Sequence, residues 1–389
     1  MIRRNIALFK IQHFFNGLWL FSALAIIYFE QVTGSYALAM LAFSFVNIGQ
    51  SLAEIPCGIF SDKISRKATL LYGAIFVFIN MLLWALAGVY SSALLLFLGS
   101  LFRGIGLAFK SGTENAIIYE TCQQIKQRKL FMTILAKITS FYQLGALIAA
   151  FMATFITYYF SLQTLVWLGV IPLFLNVFVV MLIVNPKNQA KSEQSFQEHL
   201  IKSIKTFVKN TKLRKYATLQ VLNCALANSI FRFESIYYEK LVPIYFVNIA
   251  RILQHLMGWI SFHIATLFTN TNLVKILCFS SFGSALVRLI GLIMNNAITP
   301  FITSMQNLFY GSSQTSSTTL LQKEYNKGLR ATLDSIVGLL GGIMTAIIGY
   351  LLGVIADISS PRFVLFIAVG CSLAVAYAYN RLFKPIKIK

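Results

Sequence analysis

The chain of 389 residues has few charged side chains and very few acidic ones. Charged residues make up 12% of it, whereas a soluble domain carries about 25%. Hydrophobic residues make up 57%, and 33 basic residues face only 12 acidic ones, for a net charge of +21. This composition excludes a soluble globular protein. Because the basic residues lie in short runs between apolar stretches, we attribute their excess to membrane topology and anionic lipid, and predict no nucleic-acid partner.

Cysteine and histidine are also scarce, with five and four residues. The cysteines are odd in number and form no C-x-x-C motif, which argues against disulfides and against a metal cage. The histidines form no H-x-x-x-H pair. No Ser/His/Asp or paired-carboxylate constellation is visible, so we predict no enzymatic activity, no metal site and no cofactor.

Long hydrophobic runs fill most of the chain. About 20 apolar residues span a bilayer as a helix, and twelve such segments can be placed. They are residues 5–29, 36–57, 69–89, 93–112, 131–157, 163–184, 216–238, 244–268, 273–294, 297–320, 331–355 and 363–380. Most basic residues between the segments fall on alternate connections, which the positive-inside rule assigns to the cytoplasm. Only Lys240 and Arg362 fall on connections assigned to the opposite side of the membrane. We therefore predict an all-α integral membrane protein with twelve transmembrane helices and both termini cytoplasmic.

One long polar stretch, residues 185–215, divides these segments into two sets of six. It is rich in lysine and contains an amphipathic run over residues 196–208 with helical spacing, which we predict to lie on the inner leaflet. The expected domains are a six-helix bundle over residues 1–184, this linker, and a second bundle over residues 216–389. Links 111–128 and 312–330 resemble each other weakly, which supports an internal repeat.

A charged turn after the second segment, residues 54–67, is the most informative stretch. Pro56 and Gly58 are expected to end the helix, and Asp62 cannot remain in hydrocarbon, so the turn should lie in water. An ordinary basic loop is the alternative interpretation. Five residues match the pattern G-x-x-x-D-(R/K)-x-G-R-(R/K), with Ser65 at the position of the second glycine: Gly58, Asp62, Lys63, Arg66 and Lys67.

This pattern resembles the loop between helices two and three of the major facilitator superfamily. Arg103 to Gly106 in the fourth segment is similar to the Arg/Gly pattern in the family's fourth helix. The resemblance implies two six-helix bundles that rock about a central cavity in a bacterial inner membrane. It also implies a small solute as substrate, surrounding membrane lipids, and protons as a candidate coupling ion. The fifth segment has Gly145 but no proline, so the family's antiporter pattern is absent.

In this family the loop aspartate contacts the start of helix eleven, which implies a gate near residues 330–334. We expect Asp62 to be stabilised there by the positive end of that helix, and Arg66 to reach Glu114 or Glu120. The predicted gating residues are therefore Gly58, Asp62, Lys63, Arg66, Lys67, Glu114, Glu120 and Asp334.

Polar side chains within the segments supply the substrate or coupling candidates, because lipid would leave each unsatisfied at a cost of several kcal/mol. They are Asn16, Trp19, Arg103, Asn223, Asn228, Arg232, Glu234, Gln306, Asn307 and Tyr310. Arg103, the deepest charge, either binds an acidic group of the solute or is structural, where Gly104 and Gly106 admit another helix. Arg251 is placed to pair with Glu234 or Glu239, Lys110 with Glu114 on one helix, and Arg288 to snorkel.

These observations predict a secondary active transporter that works by alternating access. We predict that it exports a drug-like or metabolite molecule, and the alternative is proton-coupled uptake of a nutrient or organic acid. A channel would show rings of one residue type, and two inexact halves argue against it. A non-transporting membrane scaffold is the remaining alternative of another class.

Overall fold

The structure is a computed structural model that describes residues 2–63, 65–111, 113–127, 131–186, 204–265, 272–324 and 330–382. Across these residues the secondary structure is helical, without a strand. The chain forms two compact units, Met1–Ser192 and Glu193–Lys389. Their boundary falls within the predicted linker, and most of the amphipathic run predicted there lies outside the described residues.

The first unit contains nine described helices. They are α1 (Arg4–Gly17), α2 (Ala25–Thr33), α3 (Tyr36–Lys63), α4 (Arg66–Val89), α5 (Ala93–Lys110), α6 (Thr113–Gln124), α7 (Phe131–Tyr159), α8 (Leu162–Leu168) and α9 (Val170–Met181). Helix α5 lies between α3 and α4 at very short range. A Cβ built on Gly104 would meet the backbone of Val46 and Gln50, and one on Gly106 would meet Gly73 and Val77. Small residues allow such close approach of membrane helices.

The second unit holds a short helical stretch at residues 204–209 and eight further described elements. They are α10 (Thr211–Glu239), α11 (Ile244–Ala265), α12 (Leu273–Met294), α13 (Thr299–Ser304), a 3₁₀ turn (Met305–Phe309), α14 (Tyr310–Glu324), α15 (Arg330–Ile358) and α16 (Pro361–Leu382). Apolar clusters join these helices: Leu213 and Val221 of α10 pack with Leu321 and Leu333. This packing fixes α10 against α14 and α15.

Eight stretches of the described chain are long and apolar enough to cross a membrane. They are Tyr36–Glu54, Arg66–Val89, Ala93–Gln124, Lys137–Tyr159, Leu162–Met181, Leu273–Met294, Ile336–Ile358 and Pro361–Arg381. The other four predicted segments, the first, seventh, eighth and tenth, are either interrupted or rich in polar groups. Those four segments contribute most of the side chains of the candidate site.

The prediction of one helix over residues 5–29 is wrong, because the backbone leaves the helix at residues 18–24 between α1 and α2. The reason is aromatic packing. Phe21 is fully buried and packs edge-on against Trp84, with ring centroids 5.7 Å apart. Trp19 stacks on Trp84 at 6.4 Å. Burying such large rings contributes more than the helical hydrogen bonds that the turn gives up.

The sixth and tenth predicted segments are also interrupted. The break between α8 and α9 lies at Gly169, three residues before Pro172, which cannot donate the next helical hydrogen bond. In the tenth segment the hydroxyls of Thr303 and Ser304 bond to the carbonyls of Thr299 and Pro300 at 2.8 and 2.7 Å. Such bonds compete with the helical pattern and accompany the 3₁₀ turn that follows.

The expectation that Pro56 and Gly58 end the second helix is wrong as well. Helix α3 continues through Pro56 to Lys63, as membrane helices often tolerate proline. Ser65 then caps α4 with an extended backbone, φ −174°, and its side chain accepts a bond from the Ala68 amide at 3.4 Å. The position therefore needs no left-handed conformation, which explains why serine can replace the family's glycine.

Candidate functional site

Arg103, in the middle of α5, stacks on two tryptophans of the first unit. Its Cζ lies 4.0 Å from the Trp19 ring centroid and 5.5 Å from that of Trp84. Trp84 is fixed by bonds from Nε1 to the Leu96 carbonyl and the Ser100 hydroxyl, both 3.2 Å. The interruption after α1 places Trp19 there. We call Trp19, Trp84 and Arg103 the arginine–tryptophan site.

The arginine–tryptophan site consists of hydrogen-bond donors. Among the described residues no carboxylate forms an ion pair with Arg103. Trp19 Nε1 is buried, and within the same part of the chain it has no hydrogen-bond partner. A guanidinium and an indole N–H donate and never accept. Arg103 and Trp19 therefore present N–H donors that no described carboxylate pairs with.

Helices α1 and α5 meet again below this site. Lys110 Nζ donates to Asn16 Oδ1 at 2.9 Å, and Asn176 Nδ2 of α9 lies 3.3 Å from the same oxygen. Asn16 and Trp19, both predicted candidates, thus contact two cations of α5. The two contacts are separated by seven residues of α5, so they lie on one face about two turns apart.

The predicted pairing of Lys110 with Glu114 within one helix is replaced by contacts to α1. Helix α5 ends at Lys110 and α6 begins at Thr113, so helical spacing does not connect the two residues. Glu114 instead lies beside His13 of α1, with Oε1 and Nδ1 3.0 Å apart and side chains 17% and 16% exposed. Neither atom has an aligned hydrogen-bond partner in the described chain.

Arg66 forms an ion pair with Glu120, one of the two acids that the sequence analysis expected it to reach. The pair joins the start of α4 to α6, and Glu120 is buried. Glu114, the other acid, faces His13. The side chains of Asp62, Lys63 and Asp334, together with Gly58, lie outside what the structure describes; Lys67 is half-buried in the first turn of α4.

In the described part of the second unit, buried charged side chains form a cluster that we call the Glu234 cluster: Glu234, Arg251, Gln254, Arg288 and Gln306. Arg251 Nη1 lies 3.4 Å from Glu234 Oε2, and Arg288 Nε lies 3.3 Å from Oε1. Gln254 donates to Oε2 at 3.0 Å, and Gln306 donates to Oε1. Both carboxylate oxygens therefore accept two donors each, which satisfies the hydrogen-bonding capacity of the carboxylate.

Arg251 is held by more than its carboxylate partner. It donates to the Ser235 hydroxyl at 3.1 and 2.6 Å and to the Phe231 carbonyl, and it lies 3.8 Å from the Phe231 ring centroid. The expected pairing of Arg251 with Glu234 is confirmed. The expectation that Arg288 snorkels is wrong, because its side chain is buried and its Nε points to Glu234. Burial removes water from the Arg288 guanidinium, and the ion pair with Glu234 offsets the cost of that desolvation.

The remaining candidates of the second unit surround this cluster unevenly. Asn307 donates to the Gln254 carbonyl at 3.0 Å, and Tyr310 is 48% exposed and packs edge-on against Phe262. Asn228 is exposed, and Asn223 and Arg232 are half-buried on α10. Five residues of these sites were not among the predicted site residues: His13, Trp84, Lys110, Gln254 and Arg288. Their polar or aromatic character within apolar segments was the available signal.

Two further observations limit the chemistry. In the described residues no group of three or more His, Cys, Asp or Glu side chains could hold a metal ion. The five cysteines are free thiols, two of them buried. The chemistry that these sites offer is hydrogen bonding, ion pairing and proton exchange.

Comparison with known proteins identifies the family. The sequence model of the Major Facilitator Superfamily matches residues 11–383, so the chain belongs to this superfamily. It is a multi-pass membrane transporter and not an enzyme. No curated protein sequence matches the chain.

Solved structures of transporters share the fold. The nucleoside transporter NupG is 16% identical, with 99% of each chain covered and a TM-score of 0.82. A D-xylose–proton symporter is 12% identical, with 100% of this chain and 99% of that chain covered and a TM-score of 0.74. The fucose–proton symporter FucP of E. coli is 16% identical, with 98% of each chain covered and a TM-score of 0.59. At these identities the likeness shows the fold alone.

Proposed function

We propose that this transporter carries a small acidic solute by alternating access, and that Arg103 binds the acidic group. The observation that carries the proposal is the stack of Arg103 on Trp19, with no carboxylate partner in the described residues. The guanidinium lies over the Trp19 ring, and its N–H groups form no ion pair with a described carboxylate, so they remain for a ligand. A planar guanidinium can hold a carboxylate or phosphate by two parallel bonds.

The sign of the membrane charge supports an acidic solute. Buried and half-buried cations outnumber acids in α5, α6 and α10 to α12. The cations are Arg103, Lys110, Arg232, Arg251 and Arg288, and the acids are Glu114, Glu120, Glu234 and Glu239, of which Glu120 already pairs with Arg66 outside this set. A cation within the bilayer costs about 2.5–3.5 kcal/mol on insertion scales. An anionic solute would offset part of that cost.

The direction of transport depends on the coupling. An anion that leaves a cell negative inside gains about 2.3 kcal/mol per charge per 100 mV. Export of an acidic metabolite, the direction predicted from the sequence, would thus proceed down the potential without a coupling ion. Accumulation of the same anion inside costs that amount and requires protons to enter with it. The two solved symporters named above carry their sugars with protons, which supports testing this second direction.

The purified protein in proteoliposomes provides the test. Suitable probes are radiolabelled succinate, glucuronate, p-aminohippurate and phosphate as acids, with uridine and D-xylose as uncharged comparators. We expect saturable exchange of at least one acid, and imposed gradients of pH and potential then give the direction. Saturable transport of the uncharged probes alone would contradict the proposal.

Variants of Arg103 separate binding from structure. Arg103→Lys keeps the charge but loses the planar fork, so we expect a KM for the acidic probe raised about tenfold, or about 1.4 kcal/mol. Thermal stability should change little, because the Trp84 hydrogen bonds remain. Lys137→Gln, an exposed cation of α7 in the same unit, is the matched control. Unchanged transport of the acid by Arg103→Ala would refute the role of Arg103.

A further inference from the structure

Three acids of the described helices, Glu234, Glu120 and Glu114, differ in what surrounds their oxygens. Glu234 accepts four hydrogen bonds, two of them from Arg251 and Arg288. A proton on this carboxylate would displace one of these bonds and leave the two arginines without a counter-charge. Glu120 is paired with the permanently charged Arg66. Glu114 lies against His13 alone at ion-pair distance. Of the three, only Glu114 has a partner whose side chain can itself bind and release a proton.

We infer that His13 and Glu114 form the binding site for a coupling proton, an inference that rests on the proposed transport of an acidic solute. Nδ1 and Oε1 lie 3.0 Å apart without an aligned hydrogen bond, so a proton shared between them requires a rotation of one side chain that brings the N–H or the carboxyl O–H into line. The proton comes from water on one side of the membrane. It is held as N–H···O or N···H–O and leaves to water on the other side.

The groups around the pair are consistent with a site that gains and loses one charge. Helix α1 also carries Lys10, which lies over the Phe141 ring. On the other elements packed against α1, the charged or titratable side chains are Arg103 and Lys110 of α5, Tyr119, Glu120 and Cys122 of α6, and Lys137, Tyr142, Tyr158 and Tyr159 of α7; α9 contributes the amide Asn176. Lys110 donates its hydrogen bond to Asn16. Its positive charge therefore lies near Glu114 without a hydrogen bond to the Glu114 carboxylate.

A polar stripe along α1 leads to this region. Asn5, Gln12 and Asn16 recur at helical spacing and are directed into the first unit. Asn5 bonds to Thr121 at 3.1 Å and to the Val184 carbonyl at 2.8 Å. Gln12, next to His13, is fully buried, and neither of its amide atoms has a partner in the described residues. Buried amides are normally satisfied, often by water, so Gln12 marks a polar environment through which protons can move.

Proton and solute binding are coupled through α5. Lys110 adjoins the His13–Glu114 pair, and Arg103 lies seven residues earlier on the same face, about 10 Å away along the helix. A proton added to the pair raises the local charge by one and attracts an anion at Arg103. Linkage requires that the bound anion favours the proton equally, and at this separation we expect about tenfold tighter binding.

The first experiment needs no solute. The acid-minus-base infrared difference spectrum of the full-length protein in lipid vesicles reports protonated carboxyl groups. We expect the spectrum of Glu114→Gln to lack one carboxyl band that the native protein and the control Glu324→Gln both show. If Glu114→Gln fails to insert, His13→Asn replaces it, and the same band should shift in midpoint by at least about one pH unit. A band unchanged in both variants overturns the proton site.

The second experiment uses p-aminohippurate and succinate in proteoliposomes. Exchange at equal pH on both sides needs no net proton movement, whereas accumulation driven by a pH gradient does. We expect Glu114→Gln to retain exchange and to lose accumulation at least tenfold, while Glu324→Gln retains both. Accumulation equal to that of the native protein overturns the proton site. Absence of exchange of every acidic probe refutes the proposed function instead, and the infrared result stands independently of it.

Discussion

Arg251 of α11 and Glu234 of α10 form an ion pair of 3.4 Å in which both side chains are buried. Arg288 of α12 reaches the second carboxylate oxygen at 3.3 Å, so one acid links three helices of the second unit. Two cations around one anion leave an excess positive charge, which the Phe231 ring and carbonyl and the Ser235 hydroxyl help to stabilise. Removing the central acid should therefore affect the unit as a whole.

Glu234→Gln is expected to destabilise the protein strongly. Breaking a buried pair by removing one partner costs about 3–5 kcal/mol, because the remaining charge is uncompensated. The thermal unfolding midpoint in detergent measures the effect. The double variant Glu234→Gln with Arg288→Met should recover part of the loss, since one cation has also been removed. Glu324→Gln, at the end of α14, serves as the control, and a midpoint equal to that of the control would contradict this prediction.

Exchanging the charges of Arg66 and Glu120 tests the pair that joins α4 to α6. Arg66→Glu places two acids together. It should lower the free energy of unfolding by about 3–5 kcal/mol and should also reduce transport. Adding Glu120→Arg restores the attraction with reversed orientation. For the stability measurement alone, Lys67→Glu is the control, because it makes the same change of charge one residue away. If the double variant is no better than Arg66→Glu alone, the contact contributes nothing specific.

Gly104 is expected to tolerate no side chain. A Cβ there would meet the Val46 carbonyl and the Gln50 amide of α3, both of them backbone atoms that cannot rotate away. Overpacking of this kind costs about 1–3 kcal/mol. Gly104→Ala should lower the yield of folded protein and its unfolding midpoint, measured by fluorescence-detected gel filtration after heating. Gly370→Ala is matched to it, because a Cβ at Gly370 would meet nothing within 4 Å. Equal midpoints for the two variants would disprove the tight contact.

Charge and motif patterns predicted the parts of the protein that depend on water and charge. The turn at residues 54–67 led to the family, and the expected partners of Arg66 and Arg251 include those that the structure shows. These predictions succeed because a charged side chain near a membrane must either reach water or pair with a group of opposite charge. For a given charge, only a few residues of opposite sign lie at a comparable depth, so the candidate ion-pair partners are few.

Hydropathy failed where packing overrides it. Residues 18–24 are almost all apolar, so hydropathy predicts a continuous helix there. In the structure the backbone leaves the helix at these residues, and Trp19 and Phe21 pack on Trp84. The cost of each residue in lipid carries no information on ring geometry. The same limit hid the His13–Glu114 contact, because its two residues are about a hundred positions apart and lie on helices whose relative rotation the sequence does not give.

The donor character of the arginine–tryptophan site has a consequence for the dyes and antibiotics used to detect multidrug pumps. Many such compounds carry a permanent positive charge and few acceptors. Beside Arg103 they would meet a like charge and the donor edge of Trp19, with no described carboxylate to neutralise them. Cells that produce this protein should therefore retain ethidium as strongly as cells without it, and a resistance screen built on cationic dyes would overlook its cargo.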